Sequence, residues 1–511
     1  MGILKLFGVL RRIGMLSPAG LYGIVSAIRH YGVNVMALLK IAESQFGGMT
    51  ALTDDRETLT YRQLSSQSER LAELLMQHYN VGSGRKVGLM CGNHASLVKA
   101  LFAASMTGSD ICLLSAEMSA AQFGQLTDAY DFDLLVYDAE LASMIEQSSY
   151  SKDKVLSYHD RLPAINNMLR ASGYAGRKRR RTSSGKIMLL TGGTTGKAKQ
   201  AAHKPSLFHY LQPFSTLLAK LNLLRHKTAY IATPIYHGYG VAILFLFVAL
   251  GKKVVLTSGF DAGKACALIR RHQVKVVTVV PLMIHKMLRH NAGDLKSLAC
   301  VASGGAELNP KLAAEVLGKL GDVLYNLYGT SEAGLNIIAT PQDLTHAANT
   351  IGKKIKGVRL NVLDARGKRV GAGEIGQFCI KNKWSTQSGG SAWIETGDLG
   401  YRDRRGYYFL CGRADDRIVS AGENVYPIEL EQILIRHPSV EDVAVKGVRD
   451  ELFGQRLKAY VQTAEHADLT EEALMEWLRT RAARYQMPKE IVFVRHIPYT
   501  HLGKQDKKKL N

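Results

Sequence analysis

The residues best suited to chemistry lie in the stretch Ile187-Met188-Leu189-Leu190-Thr191-Gly192-Gly193-Thr194-Thr195-Gly196-Lys197-Ala198-Lys199. Three glycines, three threonines and two lysines fall within its last nine residues. Glycine allows backbone N–H groups to turn inward and approach a ligand closely. Threonine hydroxyls donate hydrogen bonds to phosphate oxygens, and Lys197 and Lys199 add positive charge. Such a loop suits a polyphosphate. It is not a Walker loop, because Gly196-Lys197 stands one residue too close to Gly192 and Ala198 replaces the Ser or Thr that should follow the lysine. Read alone, the same composition also makes a Gly/Thr-rich surface turn.

The elements that must position this loop are legible around it. Residues 187–190 read as a short buried strand feeding the glycines. Residues 87–90, 111–114 and 133–137 read as strands, with an amphipathic helix from about residue 64 to 75 and a helix over 97–106. Strands alternating with helices imply a parallel α/β sheet. Further strands are expected at 254–256, 276–280 and 299–302, and Tyr230 to Ile235 reads as strand then turn, leading to Tyr236-His237-Gly238. The 299–302 strand runs into Ser303-Gly304-Gly305-Ala306-Glu307, and Asn326-Leu327-Tyr328-Gly329-Thr330-Ser331-Glu332 follows. From about residue 352, short alternating strands separated by turn signals indicate a β-rich subdomain. The last hundred residues read as a small α+β unit. The expected fold class is therefore α/β. Residues 1–42 form a basic, apolar helical segment. Residues 43–412 form a large lobe of parallel sheets, with 350–412 β-rich, and residues 413–511 form a small mobile α+β domain.

At 511 residues the chain is long enough for more than one core. Sixty-six Lys+Arg against forty-four Asp+Glu leave a net charge of +22, which favours anionic partners. The six cysteines show no pairing or metal spacing and read as buried thiols in a reducing compartment. The longest apolar run, residues 241–250, is about half of the ~20 residues that a spanning helix needs and reads as a core helix. Charges at Lys5, Arg11 and Arg12 interrupt any signal-peptide pattern. Leu6 stands where a myristoylation signal wants Ser or Thr. A cytoplasmic protein is expected, with peripheral contact at an anionic membrane through residues 1–42 as one option and packing on the protein body as the other. Pro18 and Gly20 are expected to split that segment into two short helices. The run Arg177-Lys178-Arg179-Arg180-Arg181 lacks the interleaved aromatic residues of a nucleic-acid platform. It reads as an exposed linker, and no nucleic-acid partner is expected.

The ordered set of the 191–199 loop, Pro234 to Gly238, Tyr328 to Glu332, Thr396-Gly397-Asp398, Gly412 to Asp416 and the Gly503-Lys504 tail resembles the adenylate-forming superfamily of acyl-CoA synthetases, peptide-synthetase adenylation domains and luciferases. The resemblance covers residues from about 58 to 511. It implies that a carboxylate attacks the α-phosphate of ATP, with CoA as co-substrate and Mg²⁺ as cofactor. Thr191, Gly193, Thr194, Thr195, Gly196 and Lys199 would then handle the departing phosphates. Glu332 would ligate Mg²⁺, and Thr330 would reach the α-phosphate. Tyr328 would face adenine, with Gly304, Gly305 and Ala306 on the other side of the base. Asp398 would accept from the ribose hydroxyls, with Arg413 beside it. Lys504 would bridge the attacking carboxylate and the phosphate. Asp415 matches the hinge about which the small domain turns, and Gly422 would let a pantetheine arm pass. His237 and Gly238 would border the acyl pocket.

Amino-acid-activating relatives carry an Asp near the Pro234 motif, and this chain has Tyr236-His237-Gly238-Tyr239-Gly240 there. That points to a plain carboxylic acid, with a medium- or long-chain fatty acid first and an aromatic acid as competitor. Transfer to a carrier protein instead of CoA is the alternative acceptor. A non-catalytic membrane-surface or nucleic-acid-binding protein is the remote one. Ala198-Lys199-Gln200 replaces the Pro-Lys-Gly usual in relatives, which leaves the loop less rigid, and Glu395 stands where a basic or aromatic residue is commoner.

Overall fold

The computed structural model describes residues 8, 11, 14–171, 185–191, 199–203, 207–385, 392–420, 423–451, 453–464, 467–500 and 503–510. The chain divides into two compact units, residues 1–279 with 283–302, and residues 280–282 with 303–511.

The first unit carries two parallel sheets. One runs Asp153–Leu156, Leu134–Tyr137, Lys86–Met90, Asp110–Leu114 and Ile187–Thr191, all parallel, and ends in Lys199–His203, which pairs antiparallel with Ile187–Thr191. The other runs Val276–Val279, Thr228–Ile231, Lys253–Val255 and Thr50–Thr53 in parallel, with Thr58–Thr60 closing an antiparallel hairpin. Their centres are continuous apolar runs, as strands covered on both faces must be. The strands expected from the sequence are present, with ends shifted by a residue or two. The antiparallel Lys199–His203 strand was not foreseen, because Lys-Gln-Ala-Ala-His has neither β-branched residues nor alternation.

Two helices show why the local sequence folds as it does. Tyr61–Tyr79 starts from a capping box in which Thr60 and Gln63 each satisfy the other's backbone N–H. Gly238–Ala249 is the expected core helix, burying Val241, Ile243, Leu244, Leu246, Phe247 and Val248. Near the N-terminus two helices do form, Pro18–Tyr31 and Val35–Phe46. A break does fall at Pro18, where the turn over residues 14–17 separates the helical Gly8 and Arg11 from the next helix, but Gly20 takes no part in it. Pro18 takes the first helical position behind an Ser17 cap, where its missing N–H costs nothing, and Gly20 lies buried inside the helix. The chain turns again at Gly32, whose φ is +79°, and Asn34 caps the helix Val35–Phe46.

In the second unit seven strands form an antiparallel sheet in the order Arg359–Leu363, Gly376–Lys381, Ile394–Arg402, Tyr408–Arg413, Thr350–Lys354, Gly334–Ala339 and Leu324–Thr330. The β-rich region therefore begins at Leu324, ahead of the expected residue 350. The C-terminal residues build the anticipated α+β lobe. A long hairpin, Val440–Asp450 with Gly454–Thr463, is joined by Glu490–Phe493 in parallel and by Ile418–Ser420 with Glu423–Val425 at its edge. The helices Pro427–Leu434 and Glu471–Arg479 close its core over Val425, Leu430, Leu434, Val461, Leu474 and Leu478.

Candidate active site

The second unit gathers most of the residues singled out in the sequence. Tyr328, on the strand Leu324–Thr330, donates its hydroxyl to Asp398 Oδ2 at 2.6 Å. Arg413 Nη1 donates to Asp398 Oδ1 at 2.9 Å and to the Thr396 carbonyl at 3.2 Å. Strand register forces this meeting, because Asp398 and Arg413 are direct cross-strand partners. Gly397 has φ +74°, and a Cβ there would stand 2.8 Å from Arg413 Nη2. The glycine of Thr396-Gly397-Asp398 is thus required by both conformation and space. Thr396 Oγ1 accepts from the Asp398 N–H at 3.1 Å and locks the turn.

The Asp398 carboxylate has one protein donor on each oxygen and keeps lone pairs for a further donor on each. Tyr328 is 8% exposed. Burial, and then the Asp398 charge, push its phenol well above the ordinary tyrosine range, so it remains a donor at neutral pH. Burial by itself would lower the Arg413 guanidinium, but Asp398 outweighs it and holds it above its ordinary value. Phe378 meets the Tyr328 ring edge-on, 6.2 Å between centroids and 86° between planes.

Beside this cluster run the glycines. Gly305 has φ +82°, and a Cβ on Gly304 would sit 3.0 Å from the Leu327 carbonyl oxygen. Side chains are excluded from a strip lying along the strand that carries Tyr328. Thr330 ends that strand, and its hydroxyl accepts from the Ala333 N–H at 3.0 Å, shaping the turn that holds the half-buried Glu332.

Lys504 rides on a tight hairpin. Thr500 N–H donates to the Lys504 carbonyl at 2.7 Å, Gly503 N–H to the Thr500 carbonyl at 2.8 Å, and Gly503 takes φ +70°. A Cβ on Gly503 would stand 2.5 Å from Val280 Cγ2, and one on Gly305 would stand 3.6 Å from Val280 Cγ1. One valine therefore separates the lysine hairpin from the glycine strip. Lys507 pairs with Glu431 at 2.7 Å, Lys509 with Asp506 at 3.5 Å, and Lys489 with Asp450 at 3.2 Å. Lys504 is exposed and has no ion-pair partner among the described residues. Nothing in the sequence marked Val280 as the residue that seats the hairpin. Asp415 lies in the short turn Ala414–Asp416, 82% exposed and 3.7 Å from Arg413 Nη2.

In the first unit, Thr191 and Lys199 are register partners at the loop end of their hairpin, so residues 192–198 connect two paired strands. Gly193, Thr194, Thr195 and Gly196 lie outside the described residues, as does Gly422. His237 occupies the cap position of Gly238–Ala249, with its ring 4.7 Å from that of Tyr236. A Cβ on Gly238 would stand 3.0 Å from Leu189 Cδ1. Tyr239, which the sequence did not single out, donates its buried hydroxyl to the Ala302 carbonyl at 2.7 Å.

Among the described residues, three ligand-type side chains converge elsewhere, at Cys91, His94 and Asp138. His94 Nε2 meets Asp138 Oδ1 at 2.8 Å, and its Nδ1 accepts from the Leu97 N–H at 3.2 Å. Both ring nitrogens are engaged, and burial pushes the Cys91 thiol up. His94 therefore has no free ring nitrogen to offer a cation. All six cysteines are free and buried, as their scatter implied.

The AMP-binding enzyme family matches residues 39–388, and the AMP-binding enzyme C-terminal domain matches residues 429–504. The chain is 27% identical to the 2-succinylbenzoate–CoA ligase of Bacillus subtilis over 465 residues, covering 88% of this chain and 92% of that one. It is 30% identical over 348 residues to a medium/long-chain-fatty-acid–CoA ligase of Mycobacterium tuberculosis, covering 63% of this chain and 60% of the other. Among solved structures, the amide bond synthetase of Marinactinospora thermotolerans superposes with a TM-score of 0.81 at 25% identity, covering 93% of this chain and 99% of that one.

Proposed function

The chain belongs to the AMP-binding enzyme family of adenylate-forming ligases, and from that premise we propose that it converts a medium- or long-chain fatty acid to an acyl-AMP and then to an acyl-CoA. The observation that carries this reading is the grouping in one compact unit of Tyr328, Asp398, Arg413, the Gly304–Gly305 strip and the Lys504 hairpin.

In the first step a carboxylate oxygen attacks the α-phosphorus of ATP, the bond to the β-phosphate oxygen breaks, and pyrophosphate leaves. The Lys504 ammonium lies between the two anions and offsets their repulsion. Asp398 takes the ribose hydroxyls on its remaining lone pairs, and Tyr328 stacks on adenine against Gly304, Gly305 and Ala306. Thr330 approaches the α-phosphate, while Thr194, Thr195 and Lys199 hold the departing phosphates. Glu332 offers a hard carboxylate oxygen and would hold a Mg²⁺, which would neutralise phosphate charge. In the second step the CoA thiolate attacks the acyl carbonyl and AMP leaves. For it the small domain, residues 413–511, turns about Asp415 and brings Gly422 to the adenylate.

The acyl side rests on His237 and Gly238 at the start of an almost wholly apolar helix. The fatty-acid relative supports a long alkyl chain, whereas the 2-succinylbenzoate relative favours an aryl acid as the second reading. The amide bond synthetase superposition leaves an amine acceptor as a rival to the thiol. Pyrophosphate exchange into ATP, measured with octanoate, decanoate, palmitate and ferulate, tests the first step, and loss of free CoA thiol tests the second. Exchange with no acid in the panel would refute the assignment. Exchange without thiol loss would move the acceptor to a carrier protein or an amine.

Peripheral membrane contact is part of the same proposal. No helix among the described residues is long and apolar enough to cross a membrane. The helix Pro18–Tyr31, however, packs its small residues Gly20, Gly23 and Ala27 inward and leaves Leu21 49%, Tyr22 75% and Val25 64% exposed on one face, with Arg29 beyond them. Large apolar residues outside and small ones inside fit an interfacial surface better than a wetted one. Flotation with phosphatidylglycerol vesicles but not with phosphatidylcholine vesicles is expected, and it should be lost in Tyr22→Ser/Val25→Ser. Equal flotation of the parent and this variant would refute it.

A further inference from the structure

Lys311 sits where helix electrostatics disfavour it. It is the second residue of the helix Pro310–Leu320, whose first turn holds no acid, so its cation faces the positive end of the macrodipole. Its ammonium leaves that helix. It donates to the His437 carbonyl at 2.6 Å and to the Val440 carbonyl at 2.7 Å. The His437 carbonyl lies just past the end of the helix Pro427–Leu434, in the turn that continues it, and Val440 opens the strand Val440–Asp450 that follows. The cation thus meets the negative end of a helix that belongs to the C-terminal lobe. The carbonyl platform is stiff. Val440 N–H donates to the His437 carbonyl, His437 Nδ1 accepts from the Ser439 N–H at 3.2 Å, and the His437 ring meets Trp477 edge-on at 5.2 Å. One neutral link lies in the same seam, where Gln432 Nε2 donates to the Leu410 carbonyl and to Glu307 Oε1, each at 3.2 Å.

Lys311 precedes the turn Ala414–Asp416, and His437 and Val440 follow it. A rotation about that turn must pull the ammonium off both carbonyls. In the orientation that keeps them joined, the Gly503–Lys504 hairpin packs on Val280 beside the glycine strip. We propose that Lys311 is a positioning residue: seated on the His437 and Val440 carbonyls, it holds the C-terminal lobe in the orientation that presents Lys504, and so favours adenylation over thioester formation. The inference rests on the two-step reading above. Charge-assisted bonds are the strong ones, and their loss is felt only in the orientation that makes them.

The test has two arms. All six native cysteines are buried, so nitroxides placed at Ala314→Cys and Glu476→Cys in the full chain report the lobe orientation without any reaction. The parent should show one dominant distance, which Lys311→Met spreads or shifts and Lys311→Arg largely keeps. Lys319→Met, whose parent side chain bonds only Glu315 on the same helix, should leave it unchanged. The second arm compares half-reactions. With decanoate, Lys311→Met should lower pyrophosphate exchange about tenfold (about 1.4 kcal/mol), while conversion of preformed decanoyl-adenylate with CoA is not reduced. An unaltered distance distribution overturns the proposal, and so does an equal loss in both half-reactions. A parent that exchanges no pyrophosphate refutes the acid-activating reading instead, and the distance arm still decides the role of Lys311.

Discussion

Tyr328→Phe is the most informative single change. It removes the hydroxyl that reaches Asp398 Oδ2 at 2.6 Å and keeps the ring that packs on Phe378. A hydrogen bond to a charged group contributes about 1.5–3 kcal/mol. Here the lower end applies, because Asp398 keeps Arg413 on its other oxygen and is not left as a lone buried charge. About 1.5 kcal/mol corresponds to roughly a tenfold effect. For a unit of some two hundred residues, that loss lowers the melting temperature by about 3–6 °C. The ring still stacks, so the kinetic defect should appear as roughly a tenfold rise in the KM for ATP with a small change in kcat, read in the exchange assay. Because the folded-state phenol titrates well above its ordinary value, its stabilisation is complete below the unfolded tyrosine pKa of about 10 and is lost as the pH rises beyond it. The parent should therefore lose stability above that pH more steeply than the variant. Arg413→Met should couple with Tyr328→Phe, since both act through one carboxylate. An ATP KM within twofold of the parent together with an unshifted melting curve would show that the hydroxyl does not hold Asp398, and the argument for its role would fall.

Other outcomes follow from the same structure. Lys504→Ala should cut adenylation by about 10²–10³ with no change in melting temperature, because the side chain is exposed and lacks an ion-pair partner among the described residues; unaltered exchange would remove its role. Asp138 accepts from Gly92 N–H, Ser157 Oγ and His94. Burial alone would raise its carboxyl, but the His94 and Ser157 bonds hold it below the ordinary range, so its contribution is full above about pH 4 and is lost as the pH falls through the lowered value. Asp138→Asn should flatten that acid limb in a pH series of urea melts, and an unchanged slope would contradict the assignment. In Gly329→Ala a Cβ would stand 2.5 Å from the Gly334 carbonyl oxygen. The strand pair that carries Tyr328 and Thr330 would have to spread, at a cost of about 1–3 kcal/mol measurable by chemical denaturation.

What the sequence determined by itself is local or compositional. The alternation of strands and helices, the buried strand ahead of the glycine-threonine stretch, the Thr396-Gly397-Asp398 turn and the apolar core helix were legible because each depends on neighbours a few residues apart. The glycine at 397 announces its own need for φ +74°. The early start of the antiparallel sheet at Leu324 was hidden in a motif read for its chemistry, and Lys199–His203 was hidden by composition, because its pairing with Ile187–Thr191 overrides weak strand propensity. Tertiary structure alone decided which side chains meet. Tyr328 and Asp398 are 70 residues apart in sequence, and Lys311 and His437 are 126 apart. Among the lysines of the tail, only packing tells the one on the Val280 hairpin from those bound in ion pairs with Glu431 and Asp506. Hydrogen bonds are short-ranged and directional, so a residue type and its spacing can state that a donor is needed, but only the folded backbone brings its acceptor within reach.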